Sequence, residues 1–346
     1  MTVSGRDIYT GVVFTLFTLI MALRAKCVGV DTAPYSRIFT KIAGYETFFG
    51  AFENTSVSAP LYVLFCRILS YITTDVQILT VFSALFINIG LLVFIRRTSE
   101  DYAGSFLAWI GLTLFYCSMN GSRQCMALVL VMNALWYFSK DVRSLHGWLL
   151  WLLSLGIHPT AVVTAPVILG IALIKKGVPL RKMFFWACAA GAGFSFGFRL
   201  VVPLLIKLIP GYAMYTSSDA SFSIYNGTGG GRIVFLYLFL MCIALLWMYA
   251  SGDDDERDFS AMLMPAVVFG LTLGIFNCRN ELVNRLIWYY LALMLPFIPA
   301  TAKKYEGWAR PVIEYGSIAV LLAYSMLSLM ENQNGVTPYV FFWTFI

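Results

Sequence analysis

Apolar stretches long enough to cross a membrane recur along the whole chain, with short polar breaks between them. A helix needs about 20 mostly apolar residues to span the hydrocarbon core of a bilayer. Because 60% of the 346 residues are hydrophobic and 12% are charged, the composition excludes an ordinary soluble fold. We therefore predict an all-α, polytopic integral membrane protein with a single transmembrane domain over residues 1–346. The predicted spans are 8–24, 57–73, 76–95, 103–118, 124–138, 147–174, 183–206, 232–250, 259–277, 285–300 and 312–330.

The stretch 147–174 is too long for one upright helix. It contains Gly156, His158 and Pro159, and proline removes a backbone donor from a helix. We expect a kink or two shorter segments there. The prediction is thus about 11 transmembrane helices, with one more if this stretch is two segments.

Two loops are long enough to carry a site. In the first loop, 24–54, apolar residues at helical spacing predict an amphipathic interfacial helix over residues 34–50. The second, 207–231, is rich in Gly, Ser and Tyr and predicts a flexible loop that faces sugars or headgroups, or a plain linker.

Four arginines fall inside or at the ends of apolar stretches. Arg67 and Arg199 lie within such stretches, and Arg123 and Arg285 stand at the ends of two more. An unpaired charge in hydrocarbon costs several kcal/mol, so we expect these groups to have a partner. Since no Asp or Glu lies in the middle of a predicted span, the expected partner is an anion, such as a phosphate-bearing lipid or sugar donor.

The segment from Asn120 to Gln124 predicts an anion site at the start of a helix. Asn-Gly favours a turn, Ser122 is a candidate cap, and Arg123 with Gln124 then occupies the first helical turn. The helix dipole and free backbone donors favour a negative group at the same point, such as a pyrophosphate. The alternative is an arginine that extends towards the lipid headgroups.

Three further residues are candidates for acid–base chemistry. Asp31, with Tyr35 four residues later, predicts a base for an acceptor hydroxyl, and Glu46 is the second candidate. His158 could relay a proton or donate to a sugar or phosphate oxygen. The alternatives are exposed acids that balance nearby cations, and a histidine that only packs.

Arg285 and Tyr289 are one helical turn apart, which suits contacts to a phosphate and a sugar. A belt of aromatic residues with a headgroup-facing arginine is an equal alternative. Near Arg199, glycines at 191, 193 and 197 predict close approach of two helices, whose ends the guanidinium could bond.

The charges do not decide which side of the membrane carries the first loop. If every predicted span crosses, the first loop shares a face with residues 96–102 and 139–146, which are rich in cations. The positive-inside rule would then place the first loop in the cytoplasm.

Three segments carry a resemblance to a known family. They are GVDTAPYSRIF (Gly29 to Phe39), FYCSMNGSRQCMALVL (Phe115 to Leu130) and LGIHPTAVV (Leu155 to Val163). Together they resemble the EpsG family of bacterial exopolysaccharide proteins, which are similar in role to Wzy polymerases. The resemblance implies a GT-C-like or Wzy-like helical bundle in the bacterial inner membrane, with the site on the outer face.

The resemblance implies a membrane glycosyltransferase or polymerase that extends undecaprenyl diphosphate-linked oligosaccharide in exopolysaccharide, capsule or O-antigen synthesis. Arg123, Gln124 and Arg285 would hold the diphosphate, and Asp31 would be the base. The alternatives are a transporter or flippase for the same lipid-linked glycans and a membrane O-acyltransferase. We expect no metal and no cofactor, and the expected partners are the bilayer, the lipid-linked oligosaccharide and other polysaccharide-assembly proteins, with no nucleic acid.

Overall fold

The structure is a computed structural model that describes residues 5–53, 58–208, 231–251, 258–277 and 281–345. Within these ranges the protein is helical and has no strand. The chain divides into two compact units, one formed by residues 1–162 with 321–346 and the other by residues 163–320.

The first unit contains nine helices among its described residues, together with the end of a tenth helix that enters it at Leu321. The nine are α1 (Gly5–Ala22), α2 (Thr32–Ala43), α3 (Gly50–Glu53), α4 (Pro60–Ser70), α5 (Gln77–Thr98), α6 (Tyr102–Gly111), α7 (Leu114–Asn120), α8 (Ser122–Lys140) and α9 (Leu145–Ile157).

Helices α1 and α5 are long, apolar and antiparallel, and they define the two ends of this unit. At one end Arg96 of α5 forms an ion pair with Asp7 of α1. At the other end the side-chain amide of Gln77, the first residue of α5, donates to the carbonyl of Ala22, the last residue of α1. Both helices are long and apolar enough to cross a membrane.

The chain between α1 and α5 does not cross the unit. Helix α2 is amphipathic, with Tyr35, Phe39 and Ile42 buried and its charged residues exposed, and it packs on α4. Helix α4 has 11 residues and is therefore only about 16 Å long, too short for a bilayer core of about 30 Å. The first loop and α2 to α4 consequently stay at one end of the unit.

This arrangement corrects two predictions. The amphipathic helix covers Thr32–Ala43 instead of 34–50, because the chain leaves the helix at Gly44. The assumed crossing at 57–73 is also wrong, so the first loop lies at the opposite end of the unit from residues 96–102 and 139–146. Apolar residues at 57–73 mislead because they pack against α2.

Helices α8 and α9 form a tightly packed hairpin. Ser144 caps α9 by accepting a hydrogen bond from the amide of Gly147 at 3.4 Å. A Cβ at Gly147 would lie 2.8 Å from the ring of Phe138, so only glycine permits this approach. The stretch 147–174 breaks as predicted: α9 ends at Ile157, and a 3-10 turn follows at Pro159–Thr164.

The second unit contains α10 (Ala165–Lys175), α11 (Leu180–Leu208), α12 (Arg232–Ser251), α13 (Phe259–Asn277), α14 (Glu281–Leu291), α15 (Phe297–Lys303) and the first part of α16 (Ala309–Met330). Helices α11 and α13 pack closely at Gly191, where a Cβ would lie 2.9 Å from that of Thr272. This confirms the predicted close approach at Gly191. It does not extend to Gly193 and Gly197, whose Cβ positions have no neighbour within 4 Å among the described atoms.

The number of spans differs from the prediction. Five stretches among the described residues are long and apolar enough to cross a membrane, or six if the bent pair α6 and α7 counts as one span. The predicted count of about 11 is not confirmed, because several predicted spans form helices of 10 to 17 residues. Most of the predicted flexible loop 207–231 lies outside the described residues.

Candidate functional site

The N-terminal ends of α2 and α8 meet in the first unit. The backbone amide of Asp31, the residue before α2, donates a hydrogen bond of 2.9 Å to the side-chain oxygen of Asn120. The hydroxyl of Thr32 lies 3.2 Å from the carbonyl oxygen of Met119. Asn120 is 3% exposed and Asp31 is partly exposed, so this contact is partly buried. The structure thus brings the predicted base to the turn that precedes Arg123.

Gly29 makes this contact sterically possible. Its φ of +90° is a left-handed conformation that side chains with a Cβ rarely adopt. A Cβ there would lie 2.5 Å from the carbonyl oxygen of Met119 and 2.8 Å from the hydroxyl of Thr32. On its other side, the amide of Gly29 donates to the carbonyl of Gly335 at 2.7 Å. The glycine is therefore held between the α7–α8 turn and the C-terminal segment, residues 335–342.

The C-terminal segment runs alongside the start of the first loop. The amide of Ala25 donates to the carbonyl of Val340 at 2.8 Å, and the amide of Phe342 donates to that of Leu23 at 2.9 Å. The hydroxyl of Tyr339 also donates to the carbonyl of Ile20 at 2.8 Å. The last residues of the chain therefore support the loop that carries Asp31.

Arg123 lies in the first turn of α8 against two phenol rings. Its guanidinium carbon is 5.4 Å from the ring centre of Tyr62 and 5.9 Å from that of Tyr35, within the range of cation–π attraction. Its Nε is buried and has no hydrogen-bond partner within the described residues. The guanidinium is thus oriented by rings, and one donor is left for a ligand or a water molecule.

The cap of α8 differs from the prediction. Gly121 is the N-cap residue and Ser122 the first helical residue, and no side chain caps the helix. The expectation that Ser122 caps it is wrong, since the turn places Asn120 against the first loop instead. An N-terminus without a side-chain cap suits an incoming anion, because the first N–H groups of a helix have no partner inside it.

Tyr62 belongs to the site, and our sequence reasoning missed it. It is 1% exposed, its ring centre is 6.1 Å from that of Tyr35, and it also contacts Arg123. It lies in α4, which we predicted to be a membrane span. Only the packing of α4 against α2 brings it to Arg123, and no local pattern signals that packing.

Arg67 has a structural partner within the first unit. It is 4% exposed, and its Nη1 donates to the carbonyl of Ile42 at 3.1 Å, in the last turn of α2. A cation at a helix C-terminus stabilises the helix dipole. The end of α2 is therefore one partner of Arg67, and an anionic ligand for its remaining donors stays a prediction.

Glu46 is not beside Asp31. The 12 residues of α2 separate the two, which corresponds to about 18 Å along the helix axis. Glu46 is exposed and lies just beyond the end that Arg67 caps. The structure therefore does not support its role as a residue that positions or assists Asp31.

His158 lies at the same end of the first unit as Arg123. It follows the last residue of α9, which runs antiparallel to α8, and its Nδ1 is 2.6 Å from the hydroxyl of Thr160. Two residues earlier, the Cβ position of Gly156 meets Leu61, the neighbour of Tyr62 in α4. A role for His158 in proton transfer stays a prediction.

Arg285 and Tyr289 belong to the second unit. They lie on the same helix, α14, where Tyr289 is fully buried and the Arg285 guanidinium carbon is 5.9 Å from the ring centre of Trp288. Arg199 lies in α11, but its side chain falls outside the described residues. Their roles in binding stay predictions.

The comparison with known families agrees with these motifs. The sequence model of the EpsG family matches residues 7–341, nearly the whole chain. The chain belongs to the EpsG family. The resemblance predicted from its three motifs is thereby confirmed, and EpsG proteins are associated with polysaccharide polymerase activity. No curated protein and no solved structure matches the chain.

Two of the three EpsG motifs are in direct contact. The segments Gly29–Phe39 and Phe115–Leu130 are joined by the hydrogen bond between Asp31 and Asn120. No group of three His, Cys, Asp or Glu residues that could hold a metal ion occurs among the described residues. The chemistry available at this junction is that of a carboxylate, a guanidinium, two phenols and a helix N-terminus.

Proposed function

We propose that the protein is a membrane glycosyltransferase that extends undecaprenyl diphosphate-linked oligosaccharide by polymerisation. The observation that carries the proposal is the hydrogen bond from the backbone amide of Asp31 to Asn120, which holds the backbone of Asp31 against the turn that precedes α8 and Arg123. A family associated with polysaccharide polymerases supports the reaction class. Transfer from a lipid diphosphate requires both a base and a group that accepts negative charge.

Each group has a step in the proposed reaction. Asp31 accepts the proton of the acceptor hydroxyl, while the oxygen of that hydroxyl forms a bond to the anomeric carbon of the donor sugar. The bond between that carbon and the diphosphate oxygen breaks, and the electron pair leaves with the diphosphate. Arg123 and the first amides of α8 stabilise this growing negative charge.

Tyr35 and Tyr62 orient the guanidinium of Arg123. Rings in contact with Arg123 restrict its motion, so less entropy is lost when it binds a diphosphate. We retain His158 as a proton relay. Donor-binding roles for Arg285, Tyr289 and Arg199 of the second unit are kept as separate predictions. Other polysaccharide-assembly proteins remain proposed partners.

The test compares Asp31→Asn and Arg123→Gln with wild type in cells that require the protein for polymer. We expect Asp31→Asn to abolish chain lengthening while donor binding is kept, and Arg123→Gln to weaken donor binding. Arg37→Gln is the matched control, since it removes an exposed cation from α2. Full-length polymer from Asp31→Asn, with normal protein in the membrane, would refute the enzyme and favour a flippase.

A further inference from the structure

A cavity of about 530 Å³ opens between α5, α8 and α9 of the first unit. Most of its wall is apolar. The apolar side chains are those of Phe86, Ile89, Val93, Val129, Leu130, Leu149, Leu150 and Leu153. The polar side chains are Arg97, Asn133, Tyr137 and His146. Arg97 lies at the end of α5, Asn133 and Tyr137 lie in the second half of α8, and His146 lies at the start of α9. The groove therefore has one polar end.

The polar end is built around the ring of Tyr137. The guanidinium carbon of Arg97 is 5.1 Å from its ring centre and 4.7 Å from that of Trp136. The imidazole of His146 stacks on Tyr137 with ring centres 5.3 Å apart. Arg97 also donates to Asn133 and Tyr137, both at 3.4 Å, which is long for such bonds. A guanidinium has five N–H donors, so these contacts leave it capacity for an anion.

Arg97 and its neighbour Arg96 differ in their partners. Arg96 forms an ion pair with Asp7 and does not line the groove. Arg97 lines the groove and has no carboxylate partner among the described residues. The charge that faces the groove is therefore available to a ligand.

The floor of the groove is fixed by hydrogen bonds. The side-chain amide of Asn133 donates to the carbonyls of Gly90 at 2.9 Å and Val129 at 2.8 Å. A Cβ at Gly90 would lie 2.6 Å from Val129, so α5 and α8 already touch there. Because α5 and α8 are already in contact at the floor, the groove cannot close by a movement of these two helices towards each other.

The length of the groove matches one leaflet of a bilayer. Phe86 and Arg97 are 11 residues apart on α5, which corresponds to about 16 Å along the helix. This is roughly half of a hydrocarbon core of about 30 Å. An acyl chain lying in the groove would therefore keep its headgroup at the membrane surface, beside Arg97.

The groove is separate from the candidate site. Tyr137 and Arg123 are 14 residues apart on α8, or about 21 Å along its axis. The polar end lies near Asp7 of α1, whereas Asp31 lies at the opposite end of the unit. The two cationic sites thus face opposite surfaces of the membrane.

We propose that this groove binds an anionic bilayer phospholipid. One acyl chain lies along α5, α8 and α9, and the phosphate accepts hydrogen bonds from Arg97 beside His146 and Tyr137. The one-leaflet length favours a bilayer lipid over a polyprenyl diphosphate. The inference does not depend on the proposed function.

The test is native mass spectrometry of the full chain in detergent micelles that contain either phosphatidylglycerol or phosphatidylethanolamine. We expect wild type to retain one phosphatidylglycerol, and Arg97→Gln to bind it about tenfold or more weakly, as loss of a charge-assisted bond implies. Arg96→Gln is the matched control, since it removes the adjacent charge outside the groove, and it should bind like wild type. Val93→Trp should fill the groove and also lose the lipid.

Three outcomes would overturn the proposal. Equal loss in Arg97→Gln and Arg96→Gln would indicate nonspecific attraction of lipid by surface charge. Displacement of the lipid by glycerol phosphate would indicate a phosphate site without an acyl groove. Preference for undecaprenyl phosphate over phosphatidylglycerol at equal concentration would assign the groove to the polyprenyl lipid instead.

Discussion

The close contact at Gly29 can be tested by adding a single methyl group. Gly29→Ala forces a residue with a Cβ into a φ of +90°, which costs about 1–2 kcal/mol. Its Cβ would also meet the carbonyl oxygen of Met119 at 2.5 Å. Since that atom is backbone and cannot rotate away, overpacking adds about 1–3 kcal/mol. We expect a total destabilisation of about 2–5 kcal/mol.

Gly177 offers a matched control for the conformational part of this cost. Its φ is +88°, almost the same as at Gly29, but its Cβ position has no neighbour within 4 Å among the described atoms. Gly177→Ala should therefore cost about 1–2 kcal/mol, without the overpacking contribution. The difference between the two variants isolates the contact between the first loop and the α7–α8 turn.

The measurement is unfolding of both purified variants in detergent, followed by circular dichroism and paired with polymer length in cells. Gly29→Ala should be the less stable protein and should shorten or abolish polymer, because Asp31 moves away from Arg123. Equal stability of the two variants would refute the contact, and with it the geometry of the candidate site.

Four further substitutions test the packing. Asn120→Leu should destabilise the protein by about 1–3 kcal/mol in detergent unfolding, because the partly buried amide of Asp31 loses its acceptor; an unchanged stability would contradict that bond. Arg67→Met should destabilise the protein by a similar amount in the same assay yet leave donor binding intact, because the Arg67 side chain caps α2. Gly191→Ala should destabilise through its clash with α13, whereas Gly193→Ala should be neutral or stabilising by up to about 1 kcal/mol in the same assay.

Local patterns in the sequence predicted the local parts of the structure. The break at Pro159, the start of a helix after Asn120 and the amphipathic character of α2 all follow from short-range backbone chemistry. Such features depend on a few neighbouring residues, so a single sequence reveals them.

Features that depend on packing between distant segments were not predictable. Arg67 looked like a membrane charge that needs an anion, but its partner is the carbonyl of Ile42, 25 residues earlier. Tyr62 gave no local signal of its contact with Arg123. Composition could not reveal that the apolar residues of α4 pack against α2 instead of lipid.

The absence of a crossing at 57–73 changes how the cations of the first unit are distributed between its two faces. A span at 57–73 would put the cations of the first loop on the same face as those of 96–102 and 139–146, so that one face would carry nearly all of them. In the structure these groups lie on opposite faces. One face carries Arg24, Lys26, Arg37, Lys41, Arg67 and Arg123, and the other carries Arg6, Arg96, Arg97, Lys140 and Arg143. The charge rule therefore no longer opposes an outer-face position for the first loop within this unit.

Thiol labelling tests this topology directly. Cys27 is exposed in the first loop and provides a native reporter, while Glu100→Cys reports on the end of the unit near Asp7. With the remaining cysteines replaced, an impermeant reagent applied to intact cells should label one of the two positions and not the other. Cys27 should be the labelled one if polymerisation occurs outside. Labelling of both positions from the same side would mean that 57–73 crosses the membrane. The chain could not then bring α2 to the start of α8, so Asp31 and Arg123 would lie apart.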